Sequence, residues 1–404
     1  MAPIIHVYAV VAGMYAFAGA ILSSEESFLA AHVSAQERAM GTLVFAGSLL
    51  ISVLAAIFVA HRARIDSHDW LRTGGGLSAR RAWIGVTIGY VAYLSLHAMS
   101  DVIQLGQIPS LARWAWILSF LALLLLWQDG RLPLPHLLLA LVVVAIDVVT
   151  GLGTGSLYAG LLAPIAAFSL VVHRWRRVPW MLLVAALVAG LALNAQKSQF
   201  RVTYGVGGNT ADVELIPAGL EFVRNIPEGM SALGTEEGLS WSARRFAYSS
   251  GGLLAVVMGD NRDHYDQWDA RTYAFLPVVI VPRALFPWKP EATFGNEFGR
   301  AFGLLAGNDF RTSANLPMVA EAYITFGWTG ILTVAIALGG LLGVLSLVLR
   351  GRSPSAVLLS AMASTVVISG IETDSTHAIG FLPAILVLGV PLVRWLTPLR
   401  TEKP

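Results

Sequence analysis

The apolar residues of this chain are gathered into long blocks, and this pattern constrains the fold more than any other feature. The blocks are about 15 to 22 residues long, which is the length that a helix needs to cross the hydrocarbon core of a bilayer. The composition agrees, since 56% of the 404 residues are hydrophobic and only 13% are charged. A soluble domain usually carries about twice that share of charge. The sequence therefore predicts an all-α polytopic membrane protein.

About ten transmembrane helices are expected from these blocks. They are predicted at residues 4–21, 41–60, 82–97, 114–127, 134–150, 155–172, 180–194, 317–349, 356–371 and 379–396. No Lys or Arg precedes the first block and no convincing cleavage site follows it at once, so it is interpreted as a span and not as a signal peptide. Three regions follow: seven spans in 1–194, one large loop with short helices in 195–316, and three spans with a cytoplasmic tail in 317–404.

The orientation is predicted from the basic residues of the short loops, which favour the cytoplasmic side. One side carries Arg62, Arg64, Arg72, Arg80, Arg81, Arg131, Arg174, Arg176, Arg177, Arg350, Arg352, Arg394, Arg400 and Lys403. The short loops of the opposite side carry only Arg38 and Arg113 as basic residues. Both termini are therefore predicted to be cytoplasmic, and the large loop to be extracytoplasmic.

The large loop is expected to be ordered and functional. Loops of this length are either functional or disordered, and its many Trp, Phe, Tyr and aliphatic residues argue against disorder. The stretch from Val213 to Ile226 alternates apolar and charged residues like a helix lying in a membrane interface. The short apolar run from Gly251 to Met258 could re-enter the bilayer only where protein covers it.

Several cations of this loop stand between aromatic residues or prolines. The predicted substrate-binding residues are Arg244, Arg245, Asp263, Arg271, Tyr273, Trp288, Lys289, Arg311 and, just beyond the loop, Tyr323. Arginine binds phosphate through its bidentate fork, and aromatic rings suit the apolar faces of sugars. The alternative is that these cations pair with carboxylates of the loop itself or extend their charged ends to water.

Arg283 and Lys289 are predicted to lie on a rigid turn. Prolines at 282, 287 and 290 exclude a regular helix across this segment. Cations held in fixed positions stabilise the charge that develops in a transition state. Arg283 is therefore a catalytic candidate, with Lys289 assisting it.

Three other residues could handle protons or pack inside the bundle. Glu321 lies near one end of the eighth span, where a carboxyl group is a candidate general base or acid; a salt bridge to a neighbouring Arg is the alternative. His377, in the last external loop, could shuttle protons or be structural. Asp147, inside the fifth span, is expected to make a hydrogen bond between helices.

Two other patterns are given structural interpretations. Aspartates recur every third residue at 260, 263, 266 and 269, but the spacing is not that of a calcium loop, so a solvated helix face is preferred and no metal is predicted. The glycines of 151–155 follow an apolar span and predict a tight turn between helices. Gly339 and Gly343 have the spacing of a close helix–helix contact.

The residues from 282 to 330 resemble a known family. They read Pro-Arg-x-x-x-Pro-x-Lys-Pro at 282–290, Thr-Ser at 312–313 and Glu-x-Tyr-x-x-Phe-Gly-x-x-Gly at 321–330. This series is similar to the Wzy-type polymerases of oligosaccharide repeat units in bacterial surface polysaccharide assembly. Members of that family often carry Gly before the Glu and Asn before the Phe-Gly, where this chain has Ala320 and Thr325.

The resemblance implies a GT-C-like glycosyltransferase that needs no metal or other cofactor. A glycan on undecaprenyl pyrophosphate would pass, with inversion, to the non-reducing end of the next lipid-linked repeat unit. Arg283 and Lys289 would balance the charge of the pyrophosphate, and Glu321 or His377 would take the acceptor proton. The implied location is the bacterial cytoplasmic membrane with a periplasmic active site, and a flippase and a chain-length regulator are implied partners.

Two alternatives stay open. An O-antigen-type ligase would use the same donor with a different acceptor. A transporter or flippase would place its polar residues near the midplane, often in repeated halves, whereas the spans here are nearly uncharged. The net charge of +2 gives no reason to expect a nucleic acid partner. The absence of cysteine excludes disulfides and thiol catalysis within this chain.

Overall fold

The computed structural model of the chain describes residues 3–21, 33–62, 76–99, 108–175, 180–204, 214–235, 251–259, 270–279, 281, 286, 294–310, 313–348, 353–369, 371, 373–378 and 381–397. Helices account for the regular secondary structure of these residues, and no strand occurs among them. The all-α fold predicted from the sequence is confirmed for this part of the chain.

The helices of the described residues are numbered in chain order. They are α1 (Pro3–Ile21), α2 (Ala35–Arg62), α3 (Ala79–Met99), α4 (Ile108–Gln128), α5 (Leu134–Gly153), α6 (Leu157–Trp175), α7 (Trp180–Tyr204), α8 (Leu215–Arg224), α9 (Ile226–Leu233), α10 (Leu253–Gly259), α11 (Arg271–Phe275), α12 (Phe294–Ala301), α13 (Met318–Val348), α14 (Pro354–Ser369), α15 (Ser375–Ala378) and α16 (Phe381–Leu396). Each of the ten predicted spans coincides with one of the longer helices.

Six helices among the described residues are long and apolar enough to cross a membrane. They are Ala35–Arg62, Ala79–Met99, Ile108–Gln128, Leu134–Gly153, Leu157–Trp175 and Met318–Leu347. Shorter apolar helical segments lie at Ile4–Gly13, Pro354–Val367 and Leu386–Leu396. The chain is therefore an α-helical polytopic membrane protein, while the count of ten spans stays a prediction.

Helix α13 packs closely on α2 through glycines. A Cβ added at Gly339 would overlap the carbonyl oxygen of Ser52, and one at Gly343 would lie 2.9 Å from the carbonyl oxygen of Ala56. Small residues allow helix backbones to approach this closely inside a membrane. The close contact predicted for Gly339 and Gly343 is confirmed.

Helix α10 also packs against α2, and protein covers most of its length. Its residues 253–257 are all buried, and a Cβ at Gly41 of α2 would overlap the carbonyl oxygen of Gly251. This apolar run was expected to enter the bilayer only under a cover of protein, and its burial meets that condition.

Helix α8 lies across one end of α5. A Cβ at Gly219 would overlap the carbonyl oxygen of Val149, and one at Gly153 would overlap that of Leu215. The opposite face of α8 exposes Ile216, Leu220 and Val223 (38–55% exposed). The predicted amphipathic helix therefore exists, with its apolar residues on two faces. The predicted turn follows at 154–155, where Gly155 adopts a φ of 67°, while Gly151 and Gly153 lie at the end of α5.

Candidate functional site

The segment that carries Glu321 is separated from the rest of α13 by a bend. Gly327 interrupts the helix with φ 63° and ψ −146°, a backbone conformation that is essentially restricted to glycine. Across the bend, a Cβ at Gly330 would overlap the carbonyl oxygen of Ala322. Both glycines of the Glu-x-Tyr-x-x-Phe-Gly-x-x-Gly segment are therefore required by the geometry of the bend.

Glu321 lies on the first turn of α13. Its backbone N–H donates to the carbonyl oxygen of Pro317 at 2.9 Å, so the helix begins after this proline, as the sequence predicts. The side chain of Glu321 is 0% exposed. Burial of an ionised carboxylate is costly unless hydrogen bonds or a cation compensate for the lost water.

Ser375, which is far from Glu321 in the sequence, donates two hydrogen bonds to this carboxylate. The backbone N–H of Ser375 donates to Oε2 of Glu321 at 2.7 Å, and the Ser375 hydroxyl donates to Oε1 at 2.7 Å. Ser375 is the first residue of α15 and is itself 0% exposed. Hydrogen bonds to an ionised group are shorter and stronger than bonds between neutral groups. This pairing joins the beginning of α13 to the segment between α14 and α16.

Two further side chains surround the same carboxylate. Thr272 of α11 is fully buried and interacts with it, although the Thr272 hydroxyl makes no hydrogen bond of normal geometry to any described residue. Asp374 brings a second negative charge to the site, and its own carboxylate accepts a hydrogen bond from the Thr376 hydroxyl. The site therefore combines two carboxylates with neutral hydroxyl groups.

Tyr273 lies beside this site on α11, which contacts α15. Its ring packs against Phe326, with 5.5 Å between the ring centroids. Its hydroxyl is buried and finds no hydrogen-bond partner among the described residues. Burial raises the pKa of the Tyr273 phenol, and the negative charge of Glu321 raises it further. The phenol therefore stays protonated and can donate a hydrogen bond to a substrate oxygen.

The arrangement is suited to proton transfer. Glu321 is removed from water, its orientation is held by neutral donors, and no cation pairs with it among the described residues. Such a carboxylate can accept a proton from a hydroxyl group that reaches it. The salt bridge considered as the alternative role of Glu321 is not made with any described Arg or Lys.

The structure places the other predicted site residues as follows. Arg271 is exposed and forms an ion pair with Glu297 of α12, so its guanidinium is directed to that helix. Tyr323 is half-buried and packs edge-on against Trp328, with ring centroids 5.5 Å apart. His377 lies on α15, two positions after Ser375. The residues outside the described part are Arg244, Arg245, Asp263, Arg283, Trp288, Lys289 and Arg311.

The described part of the chain holds no cluster of potential metal ligands. No group of three or more His, Asp or Glu side chains in these ranges could hold a metal ion. The aspartates at 260, 263, 266 and 269 lie outside the described residues. The expected independence from metals therefore stays a prediction.

A second buried carboxylate lies elsewhere in the bundle. Asp147 of α5 is 0% exposed and accepts a hydrogen bond from Arg113 Nη2 at 2.7 Å. The same nitrogen of Arg113 donates to the carbonyl oxygen of Ala159 in α6, and its guanidinium lies 5.3 Å from the centroid of the Tyr93 ring. Asp147 thus makes the hydrogen bond between helices that the sequence predicts, and its partner is a cation.

Sequence reasoning missed Ser375 and Thr272 as members of the site. Ser375 lies in the external loop that was singled out for His377, but its pairing with Glu321 spans 54 positions. Thr272 stands between two predicted residues, Arg271 and Tyr273. Both residues could have been flagged as hydroxyl groups beside predicted site residues, but nothing in the pattern indicates which hydroxyl contacts the carboxylate.

Comparisons with known proteins do not assign the chain to a family. No family model, no curated protein and no solved structure matches it.

Proposed function

We propose that this chain is a membrane glycosyltransferase that polymerises lipid-linked oligosaccharide repeat units. The observation that carries the proposal is the buried Glu321 carboxylate, which neutral donors hold on the first turn of α13. It stands in the segment whose residues resemble the Wzy-type polymerases. The geometry supports a proton acceptor at this position, and the resemblance supplies the substrate class.

In the proposed reaction, the acceptor hydroxyl attacks the anomeric carbon of the donor glycan. The bond between that carbon and the pyrophosphate oxygen breaks, and the pyrophosphate leaves with the bonding electrons. The acceptor proton passes to Glu321. A single displacement inverts the anomeric configuration, and each turnover lengthens the glycan by one repeat unit.

Cations would balance the negative charge of the departing pyrophosphate. Arg283 and Lys289 are assigned this role from the sequence, because the prolines around them favour a rigid turn. Arg244, Arg245, Arg271, Arg311 and the aromatic residues Tyr273, Trp288 and Tyr323 would bind the two glycans. No metal or other cofactor is included in this mechanism.

The membrane fold supports a lipid-linked substrate. Glu321 lies on one of the helices that are apolar enough to cross a bilayer, so a polyprenyl chain could stay in the membrane while its glycan reaches Glu321. The basic loops favour a periplasmic position for the large loop and for the beginning of α13. In this orientation Glu321 lies near the periplasmic boundary of the bundle.

The test is turnover of a purified lipid-linked repeat unit by the purified chain, with product length read on a gel. A ladder of products at repeat-unit intervals is expected, and Glu321→Gln, purified in the same way, serves as the control with strongly reduced activity. A single transfer to an unrelated acceptor would indicate a ligase. Movement of the lipid between leaflets without a new glycosidic bond would indicate a transporter.

A further inference from the structure

Ser375 engages both oxygens of Glu321 from a segment that the chain reaches only after two long helices. Its amide and its hydroxyl each donate at 2.7 Å, one to Oε2 and one to Oε1. Both residues are 0% exposed, so these bonds are shielded from bulk solvent. Among the described residues, no other side chain makes a hydrogen bond of normal geometry to this carboxylate.

This double contact fixes the plane of the carboxylate. The terminal torsion of a Glu side chain is broad and has no sharp preference of its own. Donors on both oxygens remove that freedom, because rotation of the carboxylate would break at least one bond. A carboxylate has about four lone-pair sites, so Ser375 sets the directions of the two that it does not occupy.

We propose that Ser375 is the positioning residue for Glu321 and aims the open lone pairs of the carboxylate at the acceptor hydroxyl. This role rests on the proposed function, since it requires that Glu321 accept the acceptor proton. Ser375 donates hydrogen bonds before and after that transfer and exchanges no proton itself. A reacting group that is held in a fixed orientation reacts faster than one that must be ordered in each turnover.

Three variants test this role against a merely structural one. Ser375→Ala removes the hydroxyl and keeps the amide, Ser375→Thr keeps both donors, and Ser119→Ala is the matched control. Ser119 is also 0% exposed, but its hydroxyl donates to a carbonyl of its own helix, at 2.9 Å, and makes no other hydrogen bond among the described residues. Turnover of the lipid-linked repeat unit is measured per folded protein, together with the melting temperature of the same preparation.

A positioning role predicts a loss in kcat with little change in KM. We expect kcat of Ser375→Ala to fall by about tenfold to a hundredfold, because small misplacements of a reacting group have effects of this size. Ser375→Thr should recover most of the loss, and Ser119→Ala should behave as the wild type. If the wild type is active and Ser375→Ala has the same kcat, the positioning role is overturned and the proposed function stays intact.

A double variant gives the sharpest test. If Ser375 acts only through Glu321, Ser375→Ala should lower kcat no further in a Glu321→Gln background, because the group that it orients is already gone. Independent, additive losses would show that Ser375 serves another purpose and would overturn the proposal. A wild-type chain without turnover would overturn the proposed function, and this role with it.

Discussion

Asp147 and Glu321 are both fully buried on long apolar helices, but the structure compensates their charges in opposite ways. Asp147 pairs with Arg113 at 2.7 Å and so joins α4 to α5. Glu321 receives two hydrogen bonds from Ser375 at 2.7 Å, and no cation pairs with it among the described residues. Removal of one partner from a buried ion pair leaves an uncompensated charge, whereas a carboxylate held by neutral donors can still take up a proton.

The difference separates a carboxylate that stabilises the bundle from one that is available for chemistry. Each is accompanied by a tyrosine whose buried hydroxyl has no partner among the described residues, Tyr90 near Asp147 and Tyr273 near Glu321. Among the described residues, however, Glu321 lies beside the helix α11 that carries the predicted substrate-binding residues Arg271 and Tyr273.

The largest effect is expected from Glu321→Gln, which keeps the shape of the side chain and removes its charge. Turnover of the lipid-linked repeat unit should fall by about 10²–10⁴, the usual contribution of a general base. The melting temperature should change little, because the amide oxygen can still accept a hydrogen bond from Ser375. Full activity of Glu321→Gln would reject the assignment and direct the search for a base to His377 and Asp263.

The next largest effect is expected on the stability of the fold, and it concerns Asp147. Arg113→Met leaves Asp147 buried without its cation and should destabilise the fold by about 3–5 kcal/mol. The double variant Arg113→Met/Asp147→Leu should recover most of this loss, since no buried charge remains. Unfolding is followed in detergent by circular dichroism or intrinsic fluorescence.

The matched control for this pair is Arg174→Met. Arg174 and Asp129 form an ion pair at 2.8 Å, but their side chains are 45% and 25% exposed. Such pairs contribute about 0–1 kcal/mol. If Arg113→Met lowered the free energy of unfolding no more than Arg174→Met, the buried pair would not have the stabilising role assigned to it.

A smaller effect is expected at Gly327, because the helix of Glu321 is bent and that of Asp147 is not. Gly327→Ala places a Cβ on a residue with φ 63° and ψ −146°, which should cost about 1–3 kcal/mol. It should also reduce turnover, since the segment 318–326 that positions Glu321 would shift. Gly340→Ala is the control, because Gly340 has no neighbour within 4 Å of an added Cβ.

Several features of the two carboxylate-bearing helices can be predicted from the sequence. Blocks of apolar residues predict where the helices lie, because the bilayer sets their length, and Pro317 predicts the beginning of α13. The same reasoning places Glu321 near one end of a span and Asp147 inside another, and it predicts the packing of Gly339 and Gly343.

The pairing of side chains between helices could not be predicted in the same way. Arg113 and Asp147 are 34 positions apart, and Glu321 and Ser375 are 54 apart. Which residues meet depends on how each helix is rotated about its axis, and hydropathy does not determine that rotation. The bend at Gly327 was missed for a related reason, since a glycine inside an apolar run is compatible with a straight helix.

The smallest expected effects come from the two tyrosines, and they test the comparison most directly. Tyr90→Phe and Tyr273→Phe each delete a buried hydroxyl that lacks a partner among the described residues. Neither variant should lose measurable stability, because an unpaired buried polar group contributes nothing favourable to the fold. Tyr273→Phe should raise KM by about threefold to tenfold, the equivalent of one hydrogen bond of about 0.5–1.5 kcal/mol to the substrate. Tyr90→Phe should leave KM and kcat unchanged.

If KM is the same in Tyr273→Phe and Tyr90→Phe, Tyr273 does not belong to the binding site. A rise in KM for Tyr90→Phe would extend the substrate site to the Arg113–Asp147 pair.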